Sequence, residues 1–310
     1  MSSACLPRVL AAALCLCCAP LLIAAAPPGT AKKSTHSAAK RESPKSTLNK
    51  SPESDKAHSQ ASGARVEKLD RAYWRSFVTD PEQMFKSPAK WKKSTWIKLG
   101  VTTGTALILY HYDEHIRTWA QEHRNKTSNN ITKIVKPFGN GYFTMPLLAG
   151  FYLAGRFDRN TKLQETSRLA FESFLLTGAV TQVLKFGVHR DRPSESPYNN
   201  VFNGPSFNNK HLSFPSGHAS SAFALATMFA TEYRGRRWVP PLAYTLASLT
   251  ALSRINSNAH WASDVFVGSA LGYFMSKEIY RLHQKPGRHD LTMIPVVGPH
   301  AGAVYVAWDF

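Results

Sequence analysis

The chain has 310 residues, which is enough for one large domain or two small ones. Its 38 Lys and Arg outnumber its 20 Asp and Glu, so the formal net charge is +18. This balance favours anionic partners (nucleic acid, acidic membrane surfaces or phosphorylated molecules) without choosing among them. All four cysteines lie within the first 18 residues, which excludes disulfides, thiolate metal sites and a cysteine nucleophile from the rest: Cys5, Cys15, Cys17 and Cys18.

Residues 1–26 have the layout of a secretory signal peptide, since Arg8 precedes an apolar run that ends in small residues. An uncleaved anchor is the alternative, because the run approaches the ~20 residues of a membrane span. Residues 27–66 carry eight Lys or Arg and three acids among Ser, Pro and Ala. This composition predicts a disordered basic linker on acidic envelope polymers or lipid headgroups, and no nucleic-acid partner.

Aromatic residues punctuate the polar stretch 67–96, which predicts short helices that dock on the main body or lie at a membrane interface. Six apolar segments follow, each long enough for a helix: 97–111, 142–157, 168–187, 217–233, 239–254 and 264–282. Strand-like alternation is absent until residues 291–310, which predict a small hairpin-like tail. The fold class is therefore all-α, a six-helix bundle over 97–290 with a C-terminal hairpin.

Three polar clusters lie at the ends of these segments. Lys185–Pro193 closes the third segment, Pro215–His218 opens the fourth, and Ser253–Asp264 joins the fifth to the sixth. In an antiparallel bundle all four of these helix ends lie at one pole. We therefore expect the clusters to meet in a single site.

The residue types in these clusters suit a tetrahedral oxyanion. Lys185, Arg192 and Arg254 supply three cations, two of them planar forks for bidentate binding. Ser216 and Gly217 open a helix, where free N–H groups and the helix dipole favour an anion and glycine permits close approach. Any one of these residues alone would more often be an ordinary surface residue, but the three clusters together predict a phosphate site.

Two histidines add the chemistry of group transfer. His260 and Asp264 are four residues apart, so the carboxylate can hold one ring nitrogen protonated and leave the other as a nucleophile. His218 can protonate the leaving alkoxide as general acid, a role that contributes ~10²–10⁴-fold. Because cations and amides neutralise the transferred group, we expect neither a metal nor another cofactor. His189 and Asp191 are expected to line the entrance or to pair with the cations.

The clusters resemble the type 2 phosphatidic acid phosphatase family, which shares its site with vanadium haloperoxidases and bacterial non-specific acid phosphatases. The family pattern is Lys-x6-Arg-Pro, Pro-Ser-Gly-His and Ser-Arg-x5-His-x3-Asp, and every fixed position is matched between Lys185 and Asp264. The resemblance implies a helical bundle of the phosphatidic acid phosphatase and haloperoxidase type. It also implies that His260 is the nucleophile, Asp264 its orienting residue, His218 the acid, and the remaining residues phosphate ligands.

The sequence thus predicts a metal-independent phosphatase that hydrolyses lipid phosphates or polyprenyl diphosphates through a phosphohistidine intermediate. The alternatives are an exported acid phosphatase for soluble phosphomonoesters, a vanadate-dependent haloperoxidase, and a non-enzymatic anion-binding protein of the envelope. The connector 194–214 is expected to form a lid, whose aromatics contact lipid chains or pack the loop down: Tyr198, Phe202, Phe207 and Phe214.

The expected location follows from charge and length. An export signal followed by six complete spans would put the site on the cytoplasmic side, against the outward orientation that the resemblance implies. Charged residues inside the segments (Lys98, Arg168 and Glu172) and several short runs argue against complete spans. We therefore expect a periplasmic or otherwise extracytoplasmic bundle that associates with a membrane surface, with a multi-pass inner membrane protein as the alternative.

Overall fold

A computed structural model describes residues 77, 80–82 and 92–284, together with the backbone of 292–298 and 301–307. The predicted signal peptide (1–26) and basic linker (27–66) lie outside the described residues, as does most of 67–91.

Residues 92–284 form seven α-helices and one short 3-10 helix. The α-helices are α1 Lys93–Glu122, α2 Lys126–Val135, α3 Gly141–Phe157, α4 Thr161–Val188, α5 Gly217–Glu232, α6 Val239–Asn256 and α7 Ala262–Gln284, and the 3-10 helix is Lys136–Gly139. Six of the seven contain the six apolar segments found in the sequence. The all-α fold class is therefore confirmed.

Two features differ from the sequence expectation. Helix α1 begins at Lys93 and runs on to Glu122, well past the apolar run, because Asp113 and Ile116 keep one side of its polar half buried. Helix α2 was not predicted at all, since its ten residues are mostly polar. It begins with a capping box in which Asn125 and Ser128 exchange side-chain-to-backbone hydrogen bonds, and such a box satisfies the free N–H groups of the first turn.

Helix α5 lies at the centre and packs against α4, α6 and α7. Its approach to α7 is close enough to require glycine. A Cβ on Gly268 would lie 2.5 Å from the Ser216 carbonyl oxygen, and one on Gly272 would lie 2.1 Å from that of Ser220. A larger residue at either position would push α7 away. The small-residue face of α7 therefore determines where α5 begins.

Part of the segment before α1 contacts the helical body, one of the two placements expected for it. The ring of Phe77 meets that of Phe171 edge-on at 6.5 Å between centroids, and Asp80 lies 3.2 Å from Nε2 of His283.

At the other end of the chain, β1 (Thr292–Gly298) and β2 (Ala301–Ala307) pair antiparallel, from Thr292 opposite Ala307 to Gly298 opposite Ala301. These strands lie where the sequence predicts the hairpin.

Candidate active site

The three motif clusters meet at one pole of the bundle, around the ring of His260. This ring is 5 % exposed, and burial lowers its pKa well below the ordinary value. The nearby charges of Lys185, Arg254 and Arg192 lower the pKa further. Since protonation would add a fourth positive charge to a desolvated place, the imidazole is neutral at neutral pH.

The hydrogen bond of His260 establishes which ring nitrogen carries the proton. Nδ1 lies 2.7 Å from the backbone carbonyl oxygen of Ser213. A carbonyl oxygen can only accept, so Nδ1 must donate and the neutral ring holds its lone pair on Nε2. The ring is therefore held as the tautomer that a nitrogen nucleophile requires.

Asp264 does not bond directly to His260, and here the sequence expectation was wrong. The nearest approach of its carboxylate to Nδ1 is 4.0 Å. Oδ2 instead accepts from the Ser213 hydroxyl at 2.5 Å and from the Trp261 N–H at 3.1 Å. The reason is local, because Asp264 lies in the first turn of α7 and its side chain satisfies a free N–H group there. Ser213, a residue that the motifs did not single out, thus lies between Asp264 and His260 and bonds to both.

Several buried polar atoms at this pole have no hydrogen-bond partner in the part of the chain that the structure describes. They are the hydroxyl of Ser216, Nε2 of His218, and Nε and Nη1 of Arg254. Leaving a buried polar atom unsatisfied costs about 1–3 kcal/mol, so such atoms are rare in folded proteins. These four atoms lie on three motif residues at one pole, where an oxygen-rich ligand could bond to them.

The cations here carry more positive charge than the nearby acids balance. Burial lowers the pKa of Lys185 to about 8, and Arg192 and Arg254 lower it further while Asp264 opposes them. Burial and Arg192 together lower the pKa of Arg254 to about 10. One donor of Lys185 is already in use, because Nζ bonds to the Leu212 carbonyl at 2.6 Å. A bound anion would relieve this repulsion.

His218 lies in the first turn of α5 at the same pole. Burial lowers its pKa to about 4, with further contributions from Arg254 and Lys136. Lys136 is a fourth cation that the sequence analysis missed, because nothing in the sequence of a short 3-10 turn connects it to the motifs. Gly139 ends the same turn, and a Cβ there would lie 2.7 Å from the His218 carbonyl oxygen. The turn therefore packs directly on the backbone of His218.

A cavity of about 250 Å³ opens beside these residues, between the start of α3, α4 and the start of α5. Its wall includes Lys185, Gly217 and His218 together with Gly141 and Gly178. A Cβ on Gly217 would meet nothing closer than 3.9 Å. Protein packing therefore does not demand glycine at this position, and the small residue leaves room for a ligand.

The connector 194–214 covers this pole and is tied to it through backbone hydrogen bonds. The Ser213 N–H donates to the Arg190 carbonyl, and the Asn203 N–H donates to that of His189. Among its aromatics Phe214 is partly buried, whereas three are exposed: Tyr198 (62 %), Phe202 (48 %) and Phe207 (90 %).

The two remaining residues of the first cluster have different environments. His189 is buried and its ring nitrogens face the carbonyl oxygens of Phe186 and Asn208, so it does not line the entrance. Asp191 is partly exposed and lies 2.6 Å from the His211 ring rather than beside the motif cations. All eight residues singled out from the motifs as a site are nonetheless brought together at one pole.

Residues 168–288 match the sequence model of the PAP2 superfamily. The resemblance to this family that the motifs carry is thereby confirmed over residues 168–288. The chain is 33% identical over 193 residues to the Lipid A 1-phosphatase of Porphyromonas gingivalis, covering 57% of this chain and 37% of that protein. It is 39% identical over 94 residues to the decaprenylphosphoryl-5-phosphoribose phosphatase of Mycobacterium tuberculosis, covering 30% of this chain and 48% of that protein.

The chain thus spans less than half the length of each of these two relatives. Among solved structures it is similar to a transmembrane PAP2 type phosphatidylglycerolphosphate phosphatase from Bacillus subtilis. That similarity has a TM-score of 0.49 and 23% identity, and it covers 61% of this chain and 96% of the other.

Proposed function

We propose that this protein is a metal-independent phosphatase that hydrolyses lipid phosphate esters through a phosphohistidine intermediate on His260. One observation carries the proposal: a neutral imidazole, with its lone pair on Nε2, lies among cations and unpaired buried donors. Such an arrangement binds a phosphate group and presents a nucleophile to it.

In the first step Nε2 of His260 attacks phosphorus and the bond between phosphorus and the ester oxygen breaks. His218 gives its proton to the departing alkoxide. With a pKa of about 4, His218 is mostly neutral before substrate binds. A bound phosphate dianion offsets the charges of Arg254 and Lys136, so it raises the His218 pKa and supplies the acid form.

In the second step water attacks the phosphohistidine. The now neutral His218 accepts a proton from this water as general base, the bond between phosphorus and nitrogen breaks, and inorganic phosphate leaves. His260 regains its lone pair on Nε2, and the Ser213 carbonyl keeps the proton on Nδ1 throughout. Both steps are thus completed without a metal ion.

The transferred phosphoryl group is stabilised by charge and by oriented donors. Lys185, Arg192 and Arg254 supply positive charge, and Ser216 supplies a hydroxyl. The first N–H groups of α5 have no partner within the helix, so Gly217 and His218 can donate backbone hydrogen bonds to phosphate oxygens. A donor of this kind is worth roughly 10²–10³ in turnover when it acts in a desolvated site.

The surface around the site favours a lipid substrate. Tyr198, Phe202 and Phe207 are exposed on the lid, and Tyr142 is exposed at the start of α3. Exposed apolar surface beside a polar site is typical of contact with lipid chains. The names of both curated relatives describe phosphatases of lipid-linked phosphates. A soluble phosphomonoester is the second candidate, because the cavity is small and its lining includes Lys185 and His218.

The same surface supports association with a membrane, and we propose an extracytoplasmic location for the site. Among the described helices one, α4, has the length and hydropathy of a membrane span, and it is partly buried in the bundle. Carbonate extraction of membranes separates the two arrangements. Release into the supernatant supports peripheral association, whereas retention in the pellet supports the multi-pass alternative.

Phosphate release from a small aryl phosphate and from phosphatidate in vesicles tests the proposal. The full chain should act on both, with the higher kcat/KM on phosphatidate, and EDTA should have no effect. Vanadate should inhibit. His260→Ala should lower turnover by about 10⁴-fold or more, since removing a nucleophile disables the whole pathway. His115→Ala, an exposed histidine on α1, is the matched control and should retain wild-type turnover.

Three outcomes would contradict the proposal. Turnover that persists in His260→Ala would exclude the nucleophile. Halide oxidation with added vanadate, without phosphate release from any ester, would indicate the haloperoxidase. Binding of phosphate without any turnover would indicate an anion-binding protein.

A further inference from the structure

A buried ionic network lies behind the proposed nucleophile, and its centre is Arg190. Nη1 of this residue donates to Oδ1 of Asp264 at 2.5 Å, and Nη2 donates to Oδ2 of Asp113 at 2.8 Å. The exposed fractions of the three side chains are 1 %, 0 % and 0 %. The three charges therefore interact without solvent screening.

Asp113 belongs to α1 and connects that helix to the first turn of α7. Its carboxylate accepts from the Ser263 N–H at 2.8 Å and also from the Ser263 hydroxyl. The Asp113 carboxylate therefore accepts three hydrogen bonds, two from Ser263 and one from Arg190. Asp113 lies far outside the motif region, and its hydrogen bonds within the described residues go to Arg190 and Ser263.

The network continues from Asp264 to the nucleophile. The other carboxylate oxygen of Asp264 accepts from the hydroxyl of Ser213, and the carbonyl of Ser213 accepts from Nδ1 of His260. A continuous chain of hydrogen bonds thus joins α1 to the imidazole. Moving Arg190 or Asp113 would move Asp264, and with it the carbonyl that orients the ring.

Aromatic rings enclose the centre of this network. The Arg190 guanidinium carbon lies 5.0 Å from the Tyr110 ring centroid, 5.6 Å from that of Phe202 and 5.4 Å from that of Trp261. These distances are within the range of cation–π interaction, and the rings also exclude water. Charge balance in this place must therefore come from the protein itself.

The charges of the network do not cancel. Asp113 and Asp264 are two potential negative charges, and Arg190 is one positive charge. If Asp113 were absent, Arg190 alone would neutralise Asp264 and weaken its field at the ring. When Nε2 of His260 binds phosphorus, the imidazole becomes cationic, so a negative charge on Asp264 stabilises the intermediate.

We propose that Asp113 and Arg190 are positioning residues of the active site, which hold Asp264 and the Ser213 carbonyl so that Nε2 of His260 faces phosphorus. This inference rests on the proposed function. Neither residue touches the substrate, so their loss affects turnover rather than binding. The prediction is a fall in kcat with little change in KM.

The test compares Asp113→Asn with Glu172→Gln, each in the full chain. Both changes remove the charge of a fully buried carboxylate without altering its size, but Glu172 lies about 20 Å along α4 from Lys185 of the site. Both variants should unfold at a lower temperature than wild type. Asp113→Asn should lower kcat for phosphatidate by about 10²-fold, with KM nearly unchanged, because a small misplacement of a reacting group has that effect. Glu172→Gln should keep the wild-type kcat per folded molecule.

Arg190→Lys is the second variant and keeps the inference testable if Asp113→Asn does not fold. Lysine keeps the positive charge but lacks the planar fork that reaches both carboxylates at once. A kcat loss with unchanged KM is expected here too. Wild-type kcat in either folded variant, or equal kcat losses in Asp113→Asn and Glu172→Gln, would overturn the inference and leave the His260 proposal standing. Absence of phosphate release from wild type would overturn the proposed function itself.

Discussion

Two clusters of charged side chains each include one residue of α4, and they behave in opposite ways. The first, at the C-terminal end of α4, surrounds His260 with Lys185, Arg192 and Arg254. The second, about 20 Å away along α4 at 1.5 Å per residue, places His283 against Glu172 and Asp80. Each cluster contains a largely buried imidazole, so burial alone does not distinguish them.

The neighbours of each imidazole decide its charge. Cations beside His260 add to burial and lower its pKa well below the ordinary range. Carboxylates beside His283 overcome the effect of burial and raise its pKa to about 10. His283 is therefore charged at neutral pH and joins α7 to α4 and to the segment before α1. His260 is neutral and nucleophilic.

The difference shows how a ligand site can be told from a structural ion cluster. In the second cluster opposite charges face one another within 3.3 Å. In the first, like charges face one another, so that Arg192 lowers the pKa of both Lys185 and Arg254. Folding tolerates a surplus of like charge where a ligand supplies the missing anion.

The largest effect on turnover among the cations is expected from Arg254→Gln. The change removes a buried fork whose Nε and Nη1 have no partner within the described part of the protein, so it should lower kcat/KM for phosphatidate by roughly 10²–10³-fold. It should also raise the free energy of unfolding, because a buried repulsion disappears. Steady-state kinetics and denaturant unfolding measure the two quantities. Unchanged kinetics would contradict the view that unpaired donors mark the ligand site.

A smaller effect on turnover is expected from Gly268→Ala, which changes the first cluster by moving the backbone at Ser216. The new Cβ would lie 2.5 Å from the Ser216 carbonyl oxygen and must displace the start of α5, at a cost of about 1–3 kcal/mol. Turnover should fall along with the unfolding temperature. Gly150→Ala is the matched control, because its Cβ would meet nothing within 4 Å and alanine favours a helix. Equal turnover in the two variants would contradict a close packing requirement at Ser216.

His283→Gln should leave turnover unchanged and alter only stability. Because folding raises the His283 pKa from about 6.5 to about 10, its contribution is fully present below pH 6.5 and is lost as pH rises through 10. The unfolding temperature of the variant should therefore differ from wild type most at pH 6 and least near pH 10. A difference that does not depend on pH would show that His283 is not the charged partner of Asp80 and Glu172.

Much of the fold could be read from the sequence, because apolar runs of helical length identify buried helices directly. Helix α2 was not predicted, because a short polar helix is stabilised by its capping box and its contacts and has no apolar run that would indicate it. The polar half of α1 was not predicted either, because it too has no apolar run. Its buried face depends on Asp113, whose partners Arg190 and Ser263 are distant in sequence.

The site could be predicted as a set of residues but not as a network of bonds. The positions of the motifs at helix ends predicted that His260, His218 and the cations lie at one pole. The same spacing suggested a direct bond between His260 and Asp264, whereas the bond goes to the Ser213 carbonyl. Every residue has a backbone carbonyl, so the residue type does not indicate which carbonyl accepts a hydrogen bond. Only the structure shows that Nδ1 of His260 bonds to the carbonyl of Ser213. Lys136 and Asp113 were missed because a single charged residue far from a motif cannot be told from a surface charge.

Trapping of the phosphorylated enzyme tests the central claim most directly. Wild type is mixed with a radiolabelled phosphate ester, quenched within milliseconds under conditions that preserve phosphoramidates, and digested for peptide mapping. The label should lie on the peptide that contains His260 and should be absent from His260→Ala. Label on another residue, or wild-type turnover without any phosphorylated enzyme at any quench time, would contradict the assignment of His260 as the nucleophile.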